Sequence, residues 1–490
     1  MGEVSEEVTK KEDRRRIFVI KIVYFCLFGA TSCVYTLLPV FLEYIGRNKE
    51  EIGILSSLLP LITCWASPLW SAVADRFKLH KLLLFTAIIL SALVRYFYLG
   101  TPSFTDLFIW IAIASFLDAP QAPFLDAFSM KQLIDVTTWG KIRLWGAIGF
   151  GLFSFVAGCI VTYTPFGWLG MFIVYWVLMG LTFVLLFPVF DSTSSNSDIK
   201  AEENKKIEER EIEEEAENNG LIELTAAEEW DKMLPEGVKE PKEQDSTDNR
   251  KQKEEAKPDN DFEISMQNKS NILKNLIAIC TVRENLWFFF IIYVGGTSAG
   301  IIDTFLYVFL KDLGADEALM GTARAITCIA EIPFFHYANL LIHRLGEHGV
   351  LIVALIFYVI RLFYYSLLEH LPLWAVLPAE TLHGFTYAAL WAASTAYGFK
   401  IAPPHMKTTI QGLVSGIHWG IGFGSGSLIG GFVFDLFGPV ALFRSTAWVV
   451  CSILCVFFLY KFICMRIGVR AAISSSRPSL HQHPLDDGLN

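Results

Sequence analysis

A glutamate and a histidine lie three residues apart inside an apolar stretch, residues 380–398, with the sequence ETLHGFTYAALWAASTAYG. On a regular helix at 100° per residue, five of its side chains share one face: Glu380, His383, Tyr387, Trp391 and Ser394. A carboxylate is costly against hydrocarbon, so this face is expected to look into a helix bundle or a water-filled cavity. Such a face either forms an internal hydrogen-bond network that only fixes the helix, or binds a ligand between its rings and exchanges protons.

Other apolar stretches in both halves of the chain also carry ionisable side chains. A carboxylate that is buried without a fixed cation favours its neutral form, and it can therefore take up and release a proton. We predict that Glu380 and Glu331, together with Asp126 or Asp303, carry a coupling proton. His383 is predicted to tune Glu380. The full predicted proton-coupling set is Asp118, Asp303, Glu331, Glu380 and His383.

Three arginines and one glutamate can be interpreted without a transport site. Arg324 and Glu331 are seven residues apart on one helix face, so they either form a structural ion pair or belong to a site. Arg95 and Arg361 lie near the ends of their apolar stretches. Both are expected to extend their charged groups towards the membrane surface.

The elements that must position these side chains are membrane-spanning helices. The 490 residues are 53% hydrophobic, and the mean hydropathy is +0.43. About twelve stretches are apolar for roughly 18 residues or more, which is enough to cross a bilayer as a helix. The predicted fold class is therefore an all-α, polytopic membrane protein with twelve transmembrane helices.

The chain also repeats itself. The segment VFLEYIGRNKEEIG (Val40–Gly53) aligns without a gap with VFLKDLGADEALMG (Val308–Gly321). Shorter matches follow in the same order, VRYFY with IRLFY and WGAIGFG with WGIGFG. Repeats of this size predict two pseudo-symmetric six-helix bundles related by an axis along the membrane normal.

A polar break separates the two bundles. Residues 191–270 are rich in Glu, Lys, Asn and Ser, and such a composition cannot bury enough surface to fold. The predicted domains follow: a cytosolic N-terminal segment at 1–16, an N-terminal six-helix bundle at 17–190, an acidic, mostly disordered cytosolic loop at 191–270, a C-terminal six-helix bundle at 271–468 and a cytosolic tail at 469–490. The loop is a solvated linker or a docking element for a cytosolic partner.

The distribution of Lys and Arg between the loops predicts the orientation. Basic residues concentrate in the loops on the side of the chain termini, which favours a cytosolic location for both termini. We predict a multi-pass integral membrane protein of the plasma membrane or of an endosomal or lysosomal membrane.

Catalytic and cofactor chemistry has no counterpart in the sequence. We find no nucleophile–base arrangement, phosphate-binding loop or metal-ligand spacing, and the cysteines fall almost entirely inside apolar stretches. No surface suited to nucleic acid appears. An enzyme, a cofactor, a metal site and a nucleic-acid partner are therefore not expected.

Two motifs carry a family resemblance. ETLHGFTYAALWAA (residues 380–393) resembles the helix-ten signature of the "domain-containing protein six" branch of the major facilitator superfamily, and GKIRLWGAIGF (residues 140–150) resembles its helix-five signature. The second motif is shared with lactose permease and nucleoside–proton symporters. In lactose permease the matching arginine and a helix-four carboxylate bind sugar hydroxyls, and the matching aromatic residue stacks on the ring. The resemblance implies such roles for Arg143, Asp126 and Phe150.

The predicted function is a secondary active transporter that moves a small polar or ringed solute by alternating access, coupled to protons. The predicted substrate-binding residues are Asp126, Arg143, Phe150, Tyr387 and Trp391. One alternative is a receptor or accessory membrane protein that has the carrier fold and transports nothing. Another is a facilitator without proton coupling.

Overall fold

A computed structural model describes residues 2–100, 103–132, 139–191, 274, 276–403 and 406–475. The regular elements in these ranges are helical. The acidic loop predicted at 191–270 lies outside the described residues, except for Asp191, and so does the end of the predicted tail. The predicted N-terminal segment 1–16 is continuous with the first helix, which begins at Gly2.

The helices before the acidic loop form what we call the N-lobe. They are α1 (Gly2–Tyr44), α2 (Lys49–Phe77), α3 (His80–Val94), α4 (Phe104–Asp118), α5 (Gln121–Gln132), α6 (Trp139–Tyr163) and α7 (Gly167–Asp191), with a 3-10 turn at Arg95–Leu99.

The helices after the acidic loop form the C-lobe. They are α8 (Arg283–Asp312), α9 (Glu317–His336), α10 (Ala338–Tyr365), α11 (Val376–Glu380), α12 (Leu390–Lys400), α13 (Lys407–Ser415) and α14 (Phe423–Ser475). Two π-helical segments, Gly384–Ala389 and Gly416–Gly422, and two 3-10 turns, Leu368–His370 and Leu373–Ala375, complete this lobe.

Ten helical segments in the described part of the chain are long and apolar enough to cross a membrane. The last of them, Lys407–Leu459, bends sharply at Gly438, where φ is +82°, so it has two arms. The broken segment from Val376 to Lys400 is not among the ten. The count of twelve spans stays a prediction.

The aligned repeat has matching local structure in both lobes. In the N-lobe, the side chain of Asn48 accepts the backbone N–H of Glu51 at the start of α2. In the C-lobe, Asp316 accepts the backbone N–H of Leu319 at the start of α9. Each cap satisfies a backbone donor that the first helical turn leaves without a partner. The repeated motif therefore builds the same turn between two helices in each lobe.

Glycines let the two lobes touch through backbone. A methyl group at Gly158 of α6 would lie 2.2 Å from the carbonyl oxygen of Glu317 in α9. One at Gly53 of α2 would lie 2.8 Å from the Cα of Gly431 in α14. Both contacts are on the side of the molecule that holds the turns after α1 and α8, which we call the far side. The near side is the opposite one.

Ion pairs also lie on the far side. Lys49 of the N-lobe contacts Asp312 of the C-lobe at 3.0 Å and pairs with Glu43 of its own lobe. Thr162 of the N-lobe donates to Glu317 at 3.4 Å and accepts the N–H of Ala318 at 3.0 Å. The lobes are thus joined on the far side by close backbone packing and by polar contacts.

Candidate functional site

The N-lobe contributes one partly exposed ion pair. The guanidinium of Arg143 on α6 donates to Asp126 on α5 at 2.6 Å, and the Tyr24 hydroxyl on α1 donates to the other carboxylate oxygen at 2.6 Å. The Arg143 side chain is 46% exposed, whereas that of Asp126 is 17% exposed. The structure therefore brings together the two predicted substrate-binding charges and adds a tyrosine that the sequence did not single out.

The N-lobe also holds a second, buried ion pair around Asp118. The guanidinium of Arg95 pairs with this carboxylate and also donates to the Tyr175 hydroxyl at 2.9 Å. Gln121 donates to Asp118 at 3.1 Å. The expectation that Arg95 extends towards the membrane surface is wrong, because Arg95 is buried and the Asp118 carboxylate holds its guanidinium inside the lobe.

The C-lobe contains a network centred on Arg361 of α10, which is only 2% exposed. Its guanidinium donates to Glu380 at 3.0 Å and to the Thr386 hydroxyl at 2.8 Å. The Tyr365 hydroxyl accepts from Arg361 at 2.9 Å and donates to Glu380 at 2.5 Å. The expectation that Arg361 extends towards the membrane surface is therefore wrong as well.

His383 connects this network to Glu331 of α9. Its Nδ1 lies 3.1 Å from Arg361 and its Nε2 lies 3.2 Å from a Glu331 oxygen. A guanidinium has no acceptor, so Nδ1 must accept the hydrogen bond, and the proton of the neutral imidazole lies on Nε2. His383 therefore donates to Glu331, and it is linked to Glu380, the residue that it is predicted to tune, through Arg361.

Arg324 and Glu331 do not pair with each other. Arg324 of α9 contacts Asp303 of α8 at 3.2 Å, whereas Glu331 contacts His383. Of the predicted coupling residues, Asp118, Asp303 and Glu380 each face an arginine. None of these pairings was predicted.

Aromatic rings lie between the two lobes. Tyr387 contacts Trp419 with 5.4 Å between ring centroids, and Trp391 contacts Trp419 at 6.3 Å. Tyr35 of the N-lobe lies 6.3 Å from Phe150 of its own lobe and 6.4 Å from Phe423 of the C-lobe. Trp419 could have been found from the sequence, because it lies in the repeated WGIGFG motif. Nothing in the sequence singled out Tyr35.

Charged side chains of both lobes act on Tyr387. Arg143 of the N-lobe lies close enough to act on its hydroxyl, and so do Glu331 and Asp303 of the C-lobe. His383 stacks on the same ring at 5.4 Å. One further predicted substrate-binding residue, Arg143, and three of the five predicted coupling residues therefore lie around the Tyr387 side chain. Asp118 does not, because it lies in the separate Arg95 network.

The regular helix predicted across residues 380–398 is interrupted. Residues 384–389 form a π-helix, which takes more residues per turn than an α-helix. As a result, Glu380 and His383 face Arg361 while Tyr387 and Trp391 face Trp419. Ser394 is buried and donates to the carbonyl of Leu390. The single polar face is thus divided into a charged part and an aromatic part.

Comparison with protein families and with known sequences gives one consistent group. A family model described as "MFS_1 like family" matches residues 17–445. The maltose permease of Geobacillus stearothermophilus is 23% identical over 436 residues, 88% of this chain and 92% of that protein. The major facilitator superfamily domain-containing protein 6-like of Danio rerio is 34% identical over 158 residues, 32% of this chain but only 29% of that protein.

Solved structures show the same fold at low identity. The nucleoside transporter NupG superposes with a TM-score of 0.64 at 15% identity, covering 91% of this chain and 98% of that one. A POT family transporter in complex with 5-aminolevulinic acid gives a TM-score of 0.60 at 12% identity, covering 91% of this chain and 96% of that one. At these identities the likeness concerns the fold alone.

Proposed function

Because the chain belongs to the MFS_1-like family of the major facilitator superfamily, we propose that it is a secondary transporter that moves a small polar solute by alternating access, coupled to protons. Relatives and structural neighbours include a maltose permease and a nucleoside transporter. These names support a carrier, while the solute and the coupling ion must be argued from the site.

The observation that carries the proton coupling is a charge imbalance in the C-lobe. Its inner cluster contains three carboxylates, Asp303, Glu331 and Glu380, but two guanidinium groups, Arg324 and Arg361. An unbalanced negative charge away from water is costly. One proton bound within the cluster removes that cost.

Glu331 is the residue on which we place this proton. Asp303 and Glu380 each contact an arginine, whereas Glu331 contacts the neutral imidazole of His383, which donates a hydrogen bond but carries no charge. Arg361 holds that imidazole in the tautomer that donates to Glu331. His383 and Arg361 are therefore positioning residues, and Glu380 balances the charge of Arg361.

The solute is proposed to bind between the lobes at Asp126, Arg143 and Tyr387. Arg143 is exposed enough to donate hydrogen bonds, and Asp126 can accept them beside it. Phe150 and Trp391 lie in the aromatic wall and are proposed to contact an apolar or ring face of the solute. Since Tyr387 interacts with Arg143 and with Glu331, a solute at this position would couple the solute site to the proton site.

Contacts between the lobes on the far side support alternating access. The contacts of Gly158 with Glu317 and of Lys49 with Asp312 close that side in this structure. A carrier must separate these contacts to expose the same central residues to the opposite compartment.

The test begins with a ligand screen. Purified protein is screened by thermal unfolding against sugars, nucleosides, amines and organic acids, and any compound that raises the midpoint is assayed for uptake into proteoliposomes. Accumulation driven by an acidic outside, and abolished by a protonophore, is the expected result. A compound that binds but never crosses the membrane would favour the receptor alternative, and uptake that ignores the pH gradient would favour a facilitator.

A further inference from the structure

Three arginines are buried in the membrane-spanning part of the described chain, and two of them are well coordinated. The guanidinium of Arg95 contacts the Asp118 carboxylate, the Tyr175 hydroxyl and the Ser91 carbonyl oxygen. The guanidinium of Arg361 contacts Glu380, Tyr365, His383 and Thr386. Each of these two guanidinium groups therefore has a carboxylate and at least two further polar partners within the fold, although the Nε of Arg95 has none.

Arg324 is different. Within the described residues its guanidinium has one ionic contact, with Asp303 at 3.2 Å, and it lies over the Tyr307 ring at 5.6 Å. The residue is only 6% exposed, and its Nε, like that of Arg95, is buried without a hydrogen-bond partner. Unlike Arg95 and Arg361, Arg324 has no hydroxyl or carbonyl oxygen among the described residues to accept from its guanidinium. A buried donor without an acceptor is unfavourable, so this guanidinium is poised for an acceptor that the protein itself does not provide.

The position of Arg324 is at the boundary between the lobes. On α9, Gly321 packs against the Ser154 backbone of α6, and Cys328 packs against Gly151 of the same helix. Arg324 lies three residues after the first contact and four before the second, so it shares their helix face. Tyr35 of α1, from the opposite lobe, interacts electrostatically with it.

We infer that Arg324 anchors a carboxylate of the transported solute. The inference deepens the proposed function, since it concerns the same space between the lobes. A planar guanidinium with free donors matches a carboxylate better than it matches a neutral oxygen. Asp303 holds the guanidinium in place from one side and leaves its buried Nε edge for the ligand.

The neighbouring rings indicate what the carboxylate is attached to. Tyr35 lies beside Arg324 and contacts Phe150 and Phe423. A flat ring can stack on such a wall while its acid group reaches the arginine. The ligand class is therefore a small, ring-bearing organic acid.

The experiment uses matched pairs of compounds that differ only in charge. Full-length purified protein is titrated at neutral pH with benzoate and benzamide, nicotinate and nicotinamide, and indole-3-acetate and indole-3-acetamide, and the unfolding midpoint is followed. At least one acid should raise the midpoint saturably, and its amide should bind about tenfold more weakly or worse, because a charge-assisted hydrogen bond is lost.

The variants isolate the arginine. Arg324→Gln should abolish the preference for the acid, and Arg324→Lys should retain part of it. The double variant Arg324→Gln with Asp303→Asn also removes the carboxylate that loses its arginine in the single variant, so it covers the case in which the single variant does not fold. Arg344→Gln, an exposed arginine on the near side, removes the same charge and should keep the wild-type preference.

Three results would overturn the inference: equal stabilisation by acids and amides, no stabilisation by any acid, or an acid preference that survives in the Arg324→Gln variants. The assay needs neither a membrane nor a gradient. If proton-driven transport failed, the proposed role of Arg324 would therefore still stand. If the protein transported a neutral solute with protons, the role of Arg324 would be wrong while the proposed transport function would stand.

Discussion

At the scale of single residues, two arginines at equivalent positions of the repeat each pair with a carboxylate of their own lobe. Arg95 pairs with Asp118 on the next spanning segment, and Arg361 pairs with Glu380 on the next. The C-lobe network differs because His383 extends it to Glu331. We interpret the N-lobe pair as structural, and the C-lobe pair as the support of a proton site.

Replacement of Arg361 by methionine tests this interpretation of the C-lobe pair. Arg361→Met leaves Glu380 buried without its cation, and we expect a loss of about 3–5 kcal/mol of stability. The double variant Arg361→Met with Glu380→Leu removes both charges and should recover much of this loss. Thermal unfolding in detergent measures both, and a single variant as stable as wild type would contradict the account.

Residue types were predictable here, but partners were not. Ionisable residues inside apolar stretches mark Glu331, Glu380 and His383 because lipid does not tolerate them without a function or a partner. Which residue pairs with which depends on the rotation of each helix. The π-helix at residues 384–389 changes that rotation in the middle of the segment. No local residue pattern predicted this π-helix.

At the scale of elements, glycines determine how closely helices of opposite lobes approach. Gly158 meets the backbone of α9, and Gly53 meets that of α14. Neither close approach tolerates a side chain, so both seams depend on the missing Cβ. The breaks within helices follow a similar logic: α4 and α5 are separated at Ala119–Pro120, where a proline-rich sequence predicts a kink.

Enlarging Gly158 should therefore hold the far side apart. In Gly158→Val the added carbons would overlap the Glu317 carbonyl, and closure of the far side is expected to be blocked. Spin labels at the exposed far-side positions Tyr163 and Phe437 report the separation of the lobes, which should shift to longer distances.

The matched control is Gly180→Val on α7, where an added methyl group meets nothing within 4 Å. This variant should retain the wild-type distance distribution. If Gly158→Val also retained it, the far-side seam would not limit closure.

At the scale of the whole molecule, the repeated turn carries inverted charges. Glu43 and Lys49 form an ion pair in the N-lobe, and the aligned positions in the C-lobe hold Lys311 and Glu317, which pair at 2.5 Å. The order of acid and base along the chain is thus reversed between the two lobes. Lys49 also contacts Asp312 of the C-lobe.

A charge exchange across the lobes tests the far-side closure. Lys49→Asp places like charges beside Asp312 and should shift the lobes towards the state in which the far side is open. Adding Asp312→Lys should restore the attraction and the original distance between the same two labels. A double variant that behaves like Lys49→Asp alone would show that the contact with Asp312 does not hold the lobes together.

Much of the overall architecture was predictable, since a bilayer permits few solutions for an apolar chain of this kind. Helicity, the repeat and the family follow from the apolar stretches and the motifs around His383 and Arg143. Which side of the molecule is closed was not predictable. The repeat specifies the fold within each lobe, and that fold is the same whichever side is closed. The relation between the lobes required the contacts of Lys49 and Gly158.

We propose that Glu331 carries the coupling proton while solute crosses between the lobes. The most direct test of this proposal is the proton flux triggered by adding a transported solute to proteoliposomes, followed with a pH-sensitive dye inside them. Wild type should acidify the interior in step with solute entry. Glu331→Gln should lose this acidification but keep solute exchange at equilibrium, whereas Glu347→Gln, which lies near Lys400 outside the cluster, should behave as wild type. Solute-dependent acidification that persists undiminished in Glu331→Gln would contradict the account.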